Sequence, residues 1–307
     1  MIYRKIEYDL RKERIYSPQT PLFIPSQGGK EKLHRSKKVD NLIDIASAES
    51  GYKEGFHLGP LTMSLKKGDF ASLIGPNGSG KSTLFKTIAG DIPLLKGSIK
   101  MGNDLLHSMK PSERAKKIAV VTSGEVFPSI RVWDMLLMGR TPHQKGIGIF
   151  HSREDKEIAE RVMEQTHIEH LKNCNVSTLS AGQQQWVAVA TALVQEPELL
   201  LLDEATSHLD IRHQIQLMDL LQRMNEDTGL TLLMILHDLN LASEYCNRLF
   251  LLQEGKLIVQ GAPEDVLRYE IIERVYKTPV VVEGNPISHH PFVLPISAKR
   301  AKWKEEK

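Results

Sequence analysis

The stretch Leu179–Asp210, LSAGQQQWVAVATALVQEPELLLLDEATSHLD, decides the class of fold. Its segment Glu198–Leu202 contains four consecutive leucines, a pattern typical of a strand in a parallel sheet that is covered on both faces. Two carboxylates, Asp203 and Glu204, follow directly. Since ligands bind at the carboxyl ends of strands in open α/β sheets, the stretch predicts a buried strand that delivers an acidic pair to a binding site.

A glycine-rich motif, GPNGSGKST, lies upstream at Gly75–Thr83, between an apolar segment at Phe70–Ile74 and a helical pattern at Ser82–Ala89. It fits the G-x-x-x-x-G-K-[ST] pattern, whose backbone N–H groups and helix N-terminus bind phosphate oxygens. The predicted phosphate-binding residues are Gly75, Pro76, Asn77, Gly78, Ser79, Gly80, Lys81, Ser82 and Thr83. In this pattern Lys81 reaches the β- and γ-phosphates and the Ser82 hydroxyl ligates Mg²⁺. The motif predicts a bound nucleotide without specifying its base, although the guanine-reading pattern N-K-x-D does not occur.

The acidic pair suits hydrolysis of that nucleotide. Asp203 is a hard oxygen ligand and is predicted to hold Mg²⁺ directly or through water. Glu204 is predicted to orient and deprotonate the attacking water.

Strand and helix patterns alternate along the chain, which predicts an α/β domain with a mainly parallel sheet. The predicted strands are Asn41–Ala48, Leu61–Leu65, Phe70–Ile74, Ile118–Val121, Glu198–Leu202 and Leu230–Leu236, followed by a hairpin of Leu249–Leu252 and Lys256–Gln260. The predicted helices are Ser82–Ala89, 112–119, 152–172, Ile211–Glu226 and Asp238–Cys246.

Composition excludes several other classes. The 307 residues are 41% hydrophobic and 25% charged, with no apolar run long enough to span a bilayer and two cysteines in no metal-binding spacing. Residues 1–38 carry ten Lys/Arg against four acidic residues, and residues 298–307 carry five against two, so the body between them is net acidic. We therefore expect no nucleic-acid partner. The basic ends fit either solvated flexible tails or contact with anionic lipid headgroups.

Three motifs together resemble those of ABC ATPases, the motor subunits of ATP-driven transporters. They are the phosphate loop, the sequence L-S-A-G-Q at Leu179–Gln183 and the sequence S-H-L-D at Ser207–Asp210. The resemblance implies a P-loop NTPase fold with a mainly parallel core sheet, an N-terminal antiparallel β subdomain and an inserted helical subdomain at about 123–185. The ATPase domain would span 39–297, between a basic extension at 1–38 and a basic tail at 298–307. It implies ATP and Mg²⁺ as cofactors.

The same resemblance assigns roles in a head-to-tail dimer. Ser180, Ala181, Gly182 and Gln183 would form the signature that meets the ATP held by the second copy, and Asp210 would belong to the D-loop at the dimer interface. His237 matches the switch histidine that contacts the γ-phosphate. Ala181 replaces the usual glycine, which would add strain of about 1 kcal/mol if that position required a positive φ.

The sequence departs from the family pattern at two places. Thr122 stands where members carry a glutamine that touches Mg²⁺, and its hydroxyl could still contact the metal. The aromatic residue that stacks on adenine is best matched by Tyr52, with Phe56 as the alternative.

Ile130–Arg140 and the segment GAPEDVLRYEIIERVYKTPVVV at 261–282 resemble the ATPase subunits of importers for ferric siderophores, haem and cobalamin. The implied partners are a second copy, transmembrane permease subunits and, indirectly, a substrate-binding protein. The implied location is peripheral, at the cytoplasmic face of the inner membrane. Two alternatives remain: a non-transport ABC ATPase, and a regulatory subunit with weak hydrolysis, the latter suggested by Ala181 and Thr122.

Overall fold

A computed structural model describes residues 41–52, 55–122, 127–144, 151–207 and 209–297. The predicted basic extension at 1–38 and tail at 298–307 lie outside these residues. Along the described ranges, no helix combines the length and the apolar character needed to cross a membrane.

The described residues form both strands and helices. The strands are β1 (Asn41–Gly51), β2 (His57–Lys66), β3 (Phe70–Ile74), β4 (Leu94–Met101), β5 (Asp104–Leu105), β6 (Ile118–Thr122), β7 (Leu199–Asp203), β8 (Thr231–Ile235), β9 (Arg248–Gln253), β10 (Lys256–Gly261), β11 (Val280–Gly284) and β12 (Pro291–Pro295). The helices are α1 (Lys81–Ala89), α2 (Pro111–Lys117), α3 (Val132–Met138), α4 (Arg153–Thr166), α5 (Ala181–Val194), α6 (Ile211–Thr228), α7 (Leu239–Tyr245), α8 (Pro263–Val266) and α9 (Tyr269–Tyr276).

The central sheet has the strand order β10-β9-β3-β8-β7-β6, with parallel pairing throughout except at the antiparallel edge strand β10. The leucine run forms β7, and its side chains alternate between the two faces. Leu199 and Leu201 pack into one hydrophobic core, while Leu200 and Leu202 pack into the other. This two-sided burial explains the continuous apolar run and confirms the predicted mainly parallel α/β fold.

A second, antiparallel sheet has the order β2-β1-β4-β5. Helix α1 lies between the two sheets, because Leu84, Phe85 and Ile88 share one core with β1, β2 and the inner face of β7. The phosphate loop, at the start of α1, is therefore anchored by both sheets.

The opposite face of the central sheet is covered by helices that include α3, α4 and α5. A buried ion pair joins them: Arg140, after α3, donates to Asp155 of α4 at 2.9 Å and to the backbone oxygen of Val194, at the end of α5, at 2.8 Å. Helices α3 and α4 fall within the range predicted for the inserted subdomain, about 123–185, and α5 begins within it. The limits of the subdomain stay a prediction.

Several predicted boundaries were wrong. The helix predicted at 152–172 ends at Thr166, because His167 adopts the left-handed conformation with φ of 56° and its N–H bonds back to the helix. The helix predicted at 112–119 ends at Lys117, where β6 begins. The hairpin of β9 and β10 is not the last strand pair, since β11 and β12 form another.

Candidate nucleotide-binding site

The phosphate loop connects β3 to α1, as the motif predicts. Gly75 has φ of 143° and lies so close to β9 that a Cβ atom there would be 2.1 Å from the backbone oxygen of Leu252. Gly80 caps α1 with φ of 102°. Only glycine fits these two positions, so the loop's backbone path depends on them.

Lys81 is the first residue of α1, and only 6% of it is exposed. Its Nζ donates to the backbone oxygens of Gly75 at 2.8 Å and Pro76 at 3.0 Å. Burial lowers the pKa of Lys81, an effect that the nearby carboxylates of Glu204 and Asp203 oppose. The site thus holds a buried cation within the loop, beside two acidic groups.

Asp203 ends β7 next to the loop. Burial raises the pKa of its carboxyl group, and the charge of Glu204 raises it further, while a hydrogen bond with Ser82 acts in the opposite direction. Within the described part of the chain, its buried Oδ1 atom has no hydrogen-bond partner. A partly unsatisfied carboxylate beside a hydroxyl is a donor set that suits a hard divalent cation.

Glu204 follows Asp203 with φ of 53°, an uncommon conformation for a residue other than glycine. Its Oε1 lies 2.6 Å from Nε2 of His237, which follows β8. Because β7 and β8 are parallel neighbours, both residues leave the sheet at the same edge. The pair fits a carboxylate base held by an imidazole.

A cleft of about 810 Å³ contains these groups. Its lining includes predicted residues from Asn77 to Thr83, together with Glu204 and His237. It also includes residues to which the sequence analysis gave no role: Thr206, Gln214 and Asp238. Asp238 is the N-cap of α7, and its position after His237 could have suggested it; no motif indicates the other two.

The two candidate adenine-stacking residues have different surroundings. Phe56 lines the cleft, and its ring lies where a Cβ atom on Gly80 would collide with it. Tyr52 is 53% exposed and does not line the cleft, although its N–H donates to the Phe56 carbonyl oxygen at 3.3 Å. Both the exposed ring of Tyr52 and the cleft-lining ring of Phe56 are therefore candidates for stacking on adenine.

Thr122 is the last residue of β6 and pairs with Asp203 across the parallel ladder. The structure therefore places Thr122, which the sequence analysis considers as a further metal contact, beside the predicted metal ligand Asp203.

The signature residues lie outside this cleft. Ser180 caps α5: its Oγ accepts from the Gln183 N–H at 3.3 Å, while the Gln183 side chain accepts from the Ser180 N–H at 3.1 Å. Ala181 begins α5 and has no positive φ, so the strain considered for alanine does not arise. Gly182 approaches Leu209, and Asp210 caps α6 by accepting from the His213 N–H at 2.9 Å.

Comparisons with known proteins bear on the family and the fold of the chain. The chain matches the ABC transporter family over residues 58–207. It is 38% identical to the ferric enterobactin transport ATP-binding protein FepC of Escherichia coli (strain K12), over 77% of this chain and 87% of that protein. It is 37% identical to the hemin import ATP-binding protein HmuV of Gloeobacter violaceus, over 75% of this chain and 86% of that protein.

Among solved structures, the chain resembles the dimeric post-hydrolysis state of the ATP-binding cassette MJ0796 bound to ADP and Pi. The TM-score is 0.62 and the identity 28%, over 72% of this chain and 98% of that one.

The fold and site define an ATP-binding cassette. The chain belongs to the ATP-binding subunits of ABC transporters, whose members are ATPases. Its homologues include ATP-binding subunits of siderophore and haem importers, which favours the importer interpretation over a regulatory or non-transport ATPase.

Proposed function

We propose that the chain hydrolyses ATP in the cleft between the phosphate loop and the ends of β7 and β8. The observation that carries the proposal is the 2.6 Å contact between Glu204 and His237 in the cleft that also contains Lys81. Glu204 accepts a proton from the attacking water, and His237 holds that carboxylate and contacts the γ-phosphate. Lys81 exchanges its bonds to the loop carbonyls for bonds to the β- and γ-phosphates.

The remaining loop residues act through their backbone. The N–H groups of Gly75 and of the residues from Asn77 to Thr83 surround the phosphates, and the N-terminus of α1 adds a favourable dipole. Since proline has no N–H, Pro76 contributes shape rather than a hydrogen bond.

Ser82 and Asp203 are the residues proposed to hold Mg²⁺, with Thr122 as a further oxygen donor. The orphaned Oδ1 of Asp203, its neighbouring hydroxyl from Ser82 and the pairing of Thr122 with Asp203 support this assignment. When bound, Mg²⁺ neutralises charge on the phosphate oxygens.

Tyr52 is proposed to stack on adenine, and Phe56 is the alternative. Stacking on a nucleobase contributes about 1–3 kcal/mol, so removal of the correct ring weakens ATP binding by about 5- to 150-fold. Tyr52→Ala and Phe56→Ala, titrated with ATP by isothermal calorimetry, distinguish the two. If neither substitution weakens binding, this part of the proposal is wrong.

A complete site is proposed to need a second copy of the chain in head-to-tail orientation. Ser180, Ala181, Gly182 and Gln183 lie outside the cleft of their own chain, where they can meet the ATP of the partner. Asp210 lies beside an apolar surface formed by Ile211 and Ile215, which are 79% and 40% exposed on α6. The dimeric state of MJ0796 supports the need for a second copy.

The proposed substrate class is a ferric siderophore or haem, imported through transmembrane permease subunits that receive it from a substrate-binding protein. The relatives FepC and HmuV support this class. The chain would act peripherally, at the cytoplasmic face of the inner membrane.

Glu204→Gln tests the catalytic assignment, because it keeps the shape of the side chain but removes the base. We expect ATP binding to be retained and kcat to fall by at least about 100-fold. Glu226→Gln, on the exposed face of α6, is the matched control and should hydrolyse ATP at the wild-type rate. Equal rates for wild type and Glu204→Gln would disprove the proposal. Copurification of a permease, followed by uptake of labelled ferric siderophore or haem, tests the substrate class.

A further inference from the structure

The C-terminal hairpin of β11 and β12 is attached to helix α7 by a side-chain amide. Asn240 Oδ1 accepts from the Val293 N–H at 2.7 Å, and Asn240 Nδ2 donates to the Val293 carbonyl oxygen at 3.2 Å. The amide thus satisfies both polar groups of one strand residue, as a neighbouring strand would. Val293 is itself buried in the main core, so the pair joins α7 to a fixed part of the hairpin.

Two more bonds come from the same face of α7. Ser243 Oγ donates to the carbonyl oxygen of Pro291 at 2.7 Å, and Glu244 accepts from the Ser288 hydroxyl at 2.7 Å. Positions 240, 243 and 244 are spaced i, i+3 and i+4, so one polar stripe of the helix faces the hairpin. The attachment is therefore a continuous contact along the helix, with Asn240 nearest its N-terminus.

Helix α7 begins two residues after His237. Asp238 caps it by accepting from the N–H groups of Asn240 and Leu241. The helix has seven residues, too few to be stable without tertiary contacts. Its position, and with it the direction in which His237 leaves β8, therefore depends on what holds the helix.

The other attachments of α7 include apolar packing, since Leu239 packs against the core and Leu241 and Ala242 are buried in it. Tyr245, the last residue of the helix, donates to Asp219 of α6 at 2.7 Å. Among the side-chain hydrogen bonds that join α7 to other elements in the described residues, the Asn240–Val293 pair lies nearest to His237. A loose first turn would move the imidazole relative to Glu204, with which it makes a 2.6 Å contact.

We infer that Asn240 is a positioning residue for ATP hydrolysis, through which the C-terminal hairpin holds His237 against Glu204. The inference rests on the role proposed for His237. Asn240 is not among the residues that line the cleft; it acts through the first turn of α7.

The test is a double-mutant cycle in the full-length chain, with Asn240→Ala, His237→Ala and the double variant assayed at saturating Mg-ATP. We expect Asn240→Ala to lower kcat about tenfold and to change the KM for ATP less than twofold, since displacing a catalytic group affects the chemical step more than binding. In the His237→Ala background, Asn240→Ala should lower kcat less than twofold, because the residue through which it acts is gone.

Asn225→Ala is the matched structural control. Its amide also makes two bonds to backbone oxygens, those of Gly68 at 2.9 Å and Leu230 at 2.6 Å, but at the end of α6. We expect it to lower the melting temperature as Asn240→Ala does while kcat stays within twofold of wild type. Asn240→Asp keeps the acceptor for the Val293 N–H but places an oxygen against the Val293 carbonyl, so we expect its kcat to lie between those of Asn240→Ala and wild type; it serves if Asn240→Ala does not fold.

The inference is overturned if Asn240→Ala lowers kcat by the same factor in the wild type and in the His237→Ala variant. It is also overturned if Asn225→Ala and Asn240→Ala lower kcat equally. If His237→Ala hydrolyses ATP normally, the proposed role of His237 fails and the inference fails with it. If His237→Ala is slow while both Asn240 variants are normal, only the inference fails.

Discussion

The two glycines Gly75 and Gly78 of the phosphate loop allow backbone strain to be separated from crowding. Both have positive φ, 143° and 75°, so alanine is strained at either position. At Gly78 a Cβ atom would have nothing within 4 Å, whereas at Gly75 it would be 2.1 Å from the Leu252 oxygen and 3.0 Å from Ser79 Oγ. Gly75→Ala therefore forces the loop and β9 apart, and Gly78→Ala does not.

The magnitudes follow from these distances. A left-handed alanine costs about 1–2 kcal/mol, which is the whole expected loss for Gly78→Ala. At Gly75, the new Cβ atom and the Leu252 oxygen must move apart by about 1 Å to reach an ordinary carbon–oxygen distance of about 3.3 Å. This overpacking costs about 1–3 kcal/mol in addition to a backbone strain similar to that at Gly78. We expect Gly75→Ala to be about 2 kcal/mol less stable than Gly78→Ala.

Urea unfolding, followed by circular dichroism, measures both losses from the shift of the midpoint at unchanged slope. ATP titration should also show weaker binding by Gly75→Ala, because the displaced loop no longer presents its N–H groups correctly. Equal midpoints for the two variants would refute the reasoning, since the predicted difference comes from the close contacts of Gly75 with Leu252 and Ser79.

Three further predictions concern other parts of the molecule. Arg140→Ala leaves Asp155 buried without its cation and should lower the free energy of unfolding by about 3–5 kcal/mol. The control Arg153→Ala removes a side chain that is 93% exposed and should change the free energy of unfolding by less than about 0.5 kcal/mol. Chemical denaturation measures both values. Burial raises the pKa of Asp155, but hydrogen bonds from Arg140 and Ser152 outweigh it and the net pKa is lowered. The resulting stability is therefore complete above the ordinary aspartate pKa of about 3.9 and is lost as the pH falls further, so Asp155→Asn should flatten the acid limb of a melting-temperature profile. Ile211→Glu places a charge on the exposed apolar face of α6 and should reduce ATP-dependent dimerisation of Glu204→Gln about tenfold, measured by analytical ultracentrifugation.

The parts of the site that the sequence predicts are those with local causes. The leucine run predicts a two-sided strand because burial on both faces leaves no polar positions, and β7 bears this out. The phosphate loop is likewise local, since its glycines and Lys81 lie in one motif between a strand and a helix. The capped start at Ser180 is visible too, because the serine and Gln183 are three residues apart.

The parts that escaped prediction depend on distant contacts. The left-handed His167 ends α4 without a glycine to indicate it. The connection between β11 and β12 carries an Asn-Pro turn signal at Asn285 and Pro286, but the attachment of the hairpin through Asn240 and Val293 joins residues 53 positions apart. The sequence offers Phe56 only as the alternative to Tyr52, and its place in the cleft depends on the packing of its ring against Gly80, 24 residues away.

The capping box of Ser180 has a consequence for how long a closed dimer lasts. In the single chain the serine hydroxyl already donates to the Gln183 side chain at 3.2 Å, so in the proposed head-to-tail dimer a γ-phosphate held by the partner would compete with that glutamine for the same hydrogen. Closure then exchanges one hydrogen bond for another at each of two sites, with a net gain of only about 1 kcal/mol per exchange. In that dimer, loss of the γ-phosphate would leave the hydroxyl with Gln183 as a partner within its own chain, which favours separation of the subunits.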